Sequence, residues 1–141
     1  MSWLLDTDVL SQPARKHGDA AVVAWLRENK DDCFTSSLVI AQLAYWVRTK
    51  EGAQRMALQA WLTTLVDAMR GRIHGFNVSV AHAWADQQIA LETAGQPMPL
   101  EDSYIAATAR RYNLTVVTGN DLHFRRPGIK VFNPFKELPR L

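Results

Sequence analysis

The sequence lacks three features that would place the protein in a specialised class. Only one of its 141 residues, Cys33, is a cysteine, so an internal disulfide is excluded and nothing indicates an oxidising compartment. It has no run of about 18 apolar residues, which excludes an ordinary membrane-spanning helix. The N-terminal stretch has neither the charged start nor the small-residue cleavage site of a signal peptide. We therefore expect a cytoplasmic protein.

Several catalytic and binding motifs are also missing. There is no GxxxxGK[ST] phosphate loop and no G-x-S-x-G nucleophile elbow. The four histidines show no zinc-type spacing, and one cysteine cannot form a thiolate cluster. The net charge is only +2, so total charge does not indicate a nucleic-acid partner. Basic residues nevertheless crowd the C-terminal third: Arg110, Arg111, Arg125, Arg126 and Lys130.

Short apolar segments alternate with helical patterns along the chain. The composition, 48% apolar and 21% charged, suits a globular protein with a real core. Strands are predicted at 3–5, 33–36, 72–76, 114–118 and 130–132, and helices at 20–29, 38–47, 54–69, 78–93 and 101–112. This alternation predicts an α/β sandwich with a short, mainly parallel central sheet, formed by residues 1–141 as a single domain.

Polar side chains follow two of the predicted strands. Asp6 comes directly after the first strand, and Thr118 ends the strand at 114–118. In open α/β sheets, sites form beyond the carboxyl ends of the strands, so these residues meet if the two strands are neighbours. Asp102 begins the helix that leads into the second strand. It is a candidate for the same place, although an acid in a first helical turn also complements the helix dipole.

Gln42 is the single polar residue in the otherwise apolar segment Leu38–Val47. A helix that is apolar on nearly all sides is expected to be buried. A buried amide costs about 1–3 kcal/mol unless it is hydrogen-bonded. We therefore predict that Gln42 either bonds a neighbouring group or faces a polar cavity.

Carboxylates brought close together repel each other unless a cation neutralises them. Oxygen-rich acidic clusters suit Mg²⁺ or Mn²⁺. Such ions polarise a phosphoryl oxygen and activate water for attack on a phosphodiester. The acids at the strand ends are therefore candidates for metal-dependent phosphoryl chemistry.

The opening motif is similar to those of two families. Asp6-Thr7-Asp8-Val9 fits D-x-D-x-[TV], the first motif of haloacid-dehalogenase-type phosphatases. That family also needs a lysine and a further acidic pair after a strand-ending Thr or Ser, and no such pair follows Thr118. The phosphatase is therefore a remote alternative.

The second resemblance, to PIN-domain ribonucleases of the VapC and FitB branch, covers almost the whole chain. LLDTDVLS resembles the LLDTNVLS opening of that family, and TSSLVIAQL resembles its S-x-x-x-x-x-E-L helix. MPLEDSYIAATARRYNLTVVTGN resembles its P-x-x-D-x-x-I-A-A block, and VFNPF matches a common ending. The resemblance implies a PIN-like α/β/α sandwich and a Mg²⁺- or Mn²⁺-dependent endoribonuclease that cuts tRNA or mRNA. It also implies a homodimeric toxin that a small cognate antitoxin neutralises.

The resemblance assigns roles residue by residue. Asp6 and Asp102 match the first and third acids of the family and are the expected metal ligands. Thr118 and Asn120 match the polar turn that supports the site. Ser37, at the start of the predicted Leu38 helix, is a further supporting candidate.

The sequence departs from the family at two acidic positions. Gln42 stands where the family usually has Glu, and the fourth acid aligns with Asn120 or His123. Three nearby acids are candidates to restore the missing charge: Asp8, Glu101 and Asp121. Three interpretations follow. The first is an endoribonuclease with one well-held metal and a substitute acid, and the second is a weak nuclease that needs a higher metal concentration. The third is a protein that has lost catalysis and acts through dimer and antitoxin binding.

Overall fold

The computed structural model describes residues 1–139. The last two residues of the predicted domain, 140 and 141, lie outside the described residues. The strands are β1 (Trp3–Leu5), β2 (Cys33–Ser36), β3 (Ile73–His74), β4 (Thr115–Val117) and β5 (Val131–Phe132). The α-helices are α1 (Thr7–Leu10), α2 (Ala20–Asn29), α3 (Ser37–Arg48), α4 (Gly52–Ala68), α5 (Val78–Ala94), α6 (Leu100–Arg111), α7 (Asp121–Phe124) and α8 (Pro134–Glu137).

The strands form a parallel sheet in the order β3-β2-β1-β4-β5. Strand β1 lies at the centre, where Leu4 pairs with Phe34 on one side and with Val116 on the other. Leu4 and Val116 are fully buried, because helices cover both faces of such a sheet. The predicted α/β sandwich with a parallel central sheet is confirmed. Because β1 and β4 are neighbours, the residues that follow them meet at one edge.

Local capping explains where several helices begin and end. The side chain of Asp19 accepts hydrogen bonds from the first turn of α2, and Ser36 and Asn77 do the same for α3 and α5. Helix α5 ends at Gly95, whose φ of 64° lies in the left-handed region that glycine adopts readily. These residues fix the helices close to the predicted bounds.

Two features differ from the sequence-based expectation. The short helix α1 was not predicted, because its four residues contain too few positions for a helical period to be visible. Helix α3 is not buried on all sides, since Tyr45 is 74% exposed and Gln42 is only partly buried. The expectation of a fully buried α3 was therefore wrong.

In the described part of the chain, none of the helices is both long and apolar enough to traverse a lipid bilayer.

A candidate acidic site at the ends of β1 and β4

Asp6 directly follows β1 and caps α1, and both oxygens of its side chain accept hydrogen bonds. The backbone N–H of Thr7 donates to Oδ1 at 2.8 Å, and the Thr118 hydroxyl donates to Oδ2 at 2.8 Å. The backbone N–H of Asp6 in turn donates to the Val117 carbonyl at 3.0 Å. The carboxylate is therefore fixed between the two neighbouring strands and retains 6% exposure.

The charge of Asp6 is poorly compensated. Burial raises its pKa to about 6, and the neighbouring charge of Asp8 adds to this effect. Hydrogen bonds from Thr7 and Thr118 act in the opposite direction, while Asp102 raises the pKa further. Within residues 1–139, no lysine or arginine forms a salt bridge with Asp6. A buried acid beside other acids and without a cation is typical of functional sites.

Asp8 lies in the first turn of α1 and faces the same edge of the sheet. The backbone N–H of Gly119 donates to its Oδ2 at 2.8 Å, whereas the buried Oδ1 has no hydrogen-bond partner among the described residues. Burial raises the pKa of Asp8, while backbone hydrogen bonds, foremost that from Gly119, and the charge of Arg15 lower it in part. A Cβ on Gly119 would lie 2.6 Å from Oδ2, so a residue without a side chain is needed for this close approach.

Asp102 comes from the first turn of α6 and is paired with His123. The two side chains are 2.9 Å apart, Nδ1 to Oδ2, with Asp102 18% exposed and His123 53% exposed. Burial raises the pKa of Asp102, while the hydrogen bond and charge of His123 lower it and the charge of Glu101 raises it. Asp102 is close enough to Asp6 to affect its pKa, so α6 contributes to the same acidic cluster.

Gln42 links two parts of the site. Its Oε1 accepts a hydrogen bond from the Thr7 hydroxyl, and its Nε2 donates to Glu101 Oε2 at 3.0 Å. The prediction that Gln42 bonds a neighbouring group is confirmed. The amide oxygen is thereby engaged with Thr7, and the amide nitrogen holds the Glu101 carboxylate on the α3 side of Asp102.

Among the described residues Asp121 is paired with Asn133 and two cations rather than with the acids of this site, which does not support its predicted role as a replacement acid. Its Oδ1 accepts from Asn133 Nδ2 at 3.1 Å, and its Oδ2 lies 3.0 Å from Arg125 NH2. Lys136 Nζ is 3.7 Å from Oδ1. Burial raises the pKa of Asp121, but the hydrogen bonds of Asn133 and Arg125 and the charges of Lys136 and Arg125 lower it more. Its carboxylate anchors the C-terminal segment.

The two supporting candidates at loop ends are placed differently. Asn120 is exposed, and its backbone N–H donates to the Thr118 hydroxyl at 3.0 Å, so it supports the residue that holds Asp6. Ser37 is the exposed first residue of α3, and the cap of that helix is Ser36, whose hydroxyl accepts from Val39 N at 3.3 Å. Ser37 therefore has no contact in the described site, which corrects its candidate role.

Sequence reasoning missed Thr7 and Gly119. Thr7 supplies both the backbone N–H to Asp6 and the hydroxyl to Gln42. A signal was available, because an Asp directly after a strand often caps a following helical turn. Gly119, between Thr118 and Asn120, carried the second signal, since glycine next to a strand end marks a close backbone approach.

The donor set fits a hydrated divalent cation. In residues 1–139, no group of three or more His, Cys, Asp or Glu side chains is arranged closely enough to hold a metal by itself. Mg²⁺ commonly keeps several waters and takes only one or two carboxylates, so the carboxylate of Asp6 with that of Asp102 in its vicinity is compatible in donor type with such an ion. The unpaired buried Oδ1 of Asp8 and the uncompensated Asp6 are the observations that favour such an ion.

Known proteins resemble this chain over nearly its whole length. The sequence pattern of the PIN domain matches residues 3–130. Toxin FitB of Neisseria gonorrhoeae is 34% identical over 95% of this chain and 99% of its own. The VapC ribonuclease Y4jK of Sinorhizobium fredii is 28% identical over 94% of this chain and 97% of its own.

Solved structures agree with the sequence comparison. The crystal structure of FitAcB from Neisseria gonorrhoeae superposes with a TM-score of 0.88 at 34% identity, covering 94% of this chain and 98% of that one. VapBC2 from Rickettsia felis, solved with a promoter DNA fragment, gives 0.77 at 25% identity, covering 94% and 98%. The chain belongs to the PIN-domain family. This membership excludes the haloacid-dehalogenase alternative.

Proposed function

We propose that this protein is a metal-dependent endoribonuclease that acts as the toxin of a toxin–antitoxin pair. The observation that carries the proposal is Asp6, a buried carboxylate with a pKa near 6, fixed by two hydrogen bonds and surrounded by acids rather than cations. Similarity to a protein named VapC ribonuclease and to FitB supports the reaction and the biological role. The substrate is RNA, either tRNA or mRNA.

In this proposal Asp6 and Asp102 hold Mg²⁺ or Mn²⁺. A divalent ion at that place supplies Lewis-acid polarisation of a phosphoryl oxygen and lowers the pKa of a bound water. Thr118 and the Thr7 amide keep the Asp6 carboxylate in one orientation, and His123 does the same for Asp102. Such second partners orient ligands and commonly affect metal affinity 10–100-fold.

Gln42 cannot act as a base, since its amide carries no charge and is engaged with Thr7 and Glu101. We infer that it positions Glu101 as the acid that replaces the missing charge. Asp8 adds a further carboxylate beside Asp6. In the reaction, water attacks phosphorus and passes a proton to one of these carboxylates, while the P–O ester bond to a ribose oxygen breaks and that oxygen leaves as a hydroxyl after taking a proton from solvent.

The solved relatives include FitAB bound to a DNA fragment and VapBC2 from Rickettsia felis, and these assemblies support the partners proposed here. We propose a small cognate antitoxin that neutralises this protein and a homodimer as its quaternary state. The alternative is a protein that keeps these partners without catalysis. It is favoured by Gln42 and by the absence, within residues 1–139, of a set of three converging ligands.

RNA cleavage decides between these two functions. Purified wild type, free of antitoxin, is incubated with total tRNA and a synthetic RNA in Mg²⁺, Mn²⁺ or EDTA. We expect cleavage only when metal is present. The cleavage rate of Asp6→Asn should be more than about 100-fold lower, because loss of a residue that merely orients a metal ligand already lowers metal affinity or activity 10–100-fold. Asp86→Asn, an exposed acid on α5, is the matched control and should retain activity.

Two further variants sharpen the result. If only Gln42→Glu cleaves, the natural site lacks one essential charge, and the non-catalytic interpretation is correct. Expression in bacteria tests the toxin role: wild type should arrest growth, and Asp6→Asn should not. Cleavage without growth arrest would support the enzyme and contradict the toxin.

A further inference from the structure

A second site candidate lies beside α1, outside the acidic cluster. An open cavity of about 430 Å³ is bounded by the turn after α1, the C-terminal end of α3 and the first half of α4. We call it the tryptophan pocket, and it is lined by Ala14, Arg15, Lys16, Trp46, Lys50, Gln54, Ala57 and Leu58. Its volume lies within the range of small-ligand sites. Three cations line it and no acidic side chain does.

Trp46 is the centre of this pocket. It is partly buried, and its ring meets the ring of Trp61 edge-on, with centroids 6.3 Å apart. The guanidinium carbon of Arg15 is 4.8 Å from the Trp46 ring centroid, and Lys50 Nζ is 5.8 Å from it. Both distances are within the range of cation–π attraction. The sequence alone favours a packing role for this tryptophan, but packing does not require cations at its ring.

The positive charge of the tryptophan pocket favours binding of an anion. Arg15 and Lys16 are exposed, and Lys50 reaches the same cavity from the end of α3. Asp8 does not line the pocket, but its charge already attracts Arg15. Like charges gathered at one place repel, and an anion between Arg15, Lys16 and Lys50 reduces the remaining repulsion. Glu51, the nearest acid in sequence, is exposed and does not line the pocket.

The pocket is rigidly connected to the acidic site. Arg15 Nε donates to Ser11 Oγ at 3.0 Å, and Ser11 is the cap at the end of α1, whose other end is capped by Asp6. Gln12 Nε2 donates to the Asp8 carbonyl at 2.9 Å, and its Oε1 accepts from Asp19 N at 2.9 Å. The turn that carries Arg15 is therefore held at a set distance from the carboxylates.

We propose that the tryptophan pocket binds a phosphate and a base of single-stranded RNA a few nucleotides from the bond placed at Asp6. Arg15, Lys16 and Lys50 contact the phosphate, and the base lies against the indole and the apolar floor formed by Ala57 and Leu58. Aromatic rings beside basic side chains bind single strands with little sequence preference. The inference rests on the proposed function for the identity of the RNA as substrate.

The test measures binding without cleavage. Asp6→Asn protein is titrated into a fluorescein-labelled 12-nucleotide single-stranded RNA, and anisotropy is followed from 50 to 300 mM salt. Lys16→Ala/Lys50→Ala is compared with Arg27→Ala/Lys30→Ala, which removes two exposed cations of α2 and the turn after it.

We expect at least tenfold weaker binding for Lys16→Ala/Lys50→Ala. Its salt slope should fall by up to about 0.7, since the three cations share one phosphate and each single-strand phosphate contact is worth about 0.7. The control pair should change affinity less than threefold.

Trp46→Leu tests the base contact separately. Stacking of one base typically changes affinity by about tenfold, and this variant should do so with an unchanged salt slope. Because Trp46 also packs against Trp61, its circular dichroism is compared with wild type. Lys16→Ala/Lys50→Ala decides the question if Trp46→Leu does not fold.

The outcomes separate this inference from the proposed function. RNA binding that needs Lys16 and Lys50, without cleavage by wild type in any metal, supports the pocket and overturns the nuclease. Cleavage by wild type with equal affinities for the two double variants overturns the pocket alone. If poly-glutamate displaces the RNA as well as unlabelled RNA does, the pocket recognises acidic peptide and the inference is wrong.

Discussion

Asp6 and Asp121 each retain 6% exposure and both follow parallel strands, but Asp6 lies deep in the protein whereas Asp121 lies just below its surface, and their charged neighbours have opposite signs. Asp121 is surrounded by Arg125, Lys136 and Asn133, and these partners lower its pKa despite burial. Asp6 has hydroxyl and amide donors but acids for neighbours, and its pKa rises to about 6. A small exposed fraction therefore does not by itself mark a functional carboxylate. The marker is a buried charge that the protein itself does not neutralise.

The comparison predicts that Asp6 destabilises the metal-free protein at neutral pH. The pKa of Asp6 is higher in the folded protein than in the unfolded chain, so ionisation of Asp6 disfavours the folded state. Below about pH 4 Asp6 is protonated in both states and the folded protein keeps its full stability, which declines as the pH rises towards about 6 and reaches its lower value above that pH. Asp6→Asn should therefore raise the free energy of unfolding by up to about 3 kcal/mol at pH 7.5 and by almost nothing at pH 3.5. Urea unfolding in EDTA at both pH values measures this, and an equal gain at both would contradict it.

Asp121→Asn should have the opposite sign. The change leaves Arg125 and Lys136 without their carboxylate and weakens hydrogen bonds to a charged group. We expect a loss of about 1–3 kcal/mol at pH 7.5. Its pKa is lowered, so this contribution is present at neutral pH and is lost as pH falls below the ordinary range of Asp. At temperatures well below its melting temperature, Asp121→Asn should still cleave RNA. A folded but inactive variant would show that Asp121 takes part in the acidic site.

Gln42→Glu should bring the acidic cluster closer to the family pattern. The substitution removes the hydrogen bond from Gln42 Nε2 to Glu101 and places a second negative charge beside Glu101. Because the two charges repel, the metal-free protein should become slightly less stable. We expect Mn²⁺ to bind about tenfold tighter, equivalent to about 1.4 kcal/mol. Calorimetric titration measures the affinity, with Gln59→Glu on the exposed face of α4 as the matched control.

Thr118→Val should have the smallest effect. It removes the hydrogen bond to Asp6 and the acceptor for Asn120 N, at a cost of about 1 kcal/mol. The pKa of Asp6 should rise further, because the bond from Thr118 lowers it. Thr118→Ser, which keeps the hydroxyl, should restore both properties. A Val variant with unchanged stability would show that the hydroxyl does not hold Asp6.

The sequence predicted the part of the site that follows from strand periodicity. Trp3–Leu5 and Thr115–Val117 are apolar and parallel, so Asp6 and Thr118 had to meet once these strands became neighbours. The direction of Asp121 was not predictable, because it depends on a short helix and on cations brought back by the C-terminal segment. Gln42 was expected to be buried, and only the tertiary arrangement of α3 and α6 revealed its link from Thr7 to Glu101.

The measurement that most directly tests the central claim is thermal unfolding of wild type and Asp6→Asn, with and without Mn²⁺ at pH 7.5. It does not depend on finding the natural RNA. We predict that Asp6→Asn melts at a higher temperature than wild type in EDTA. Mn²⁺ should raise the melting temperature of wild type far more than that of Asp6→Asn, so that the difference between the two proteins disappears or reverses. If Mn²⁺ stabilises both proteins equally, Asp6 is not the carboxylate that this fold keeps unneutralised for a metal.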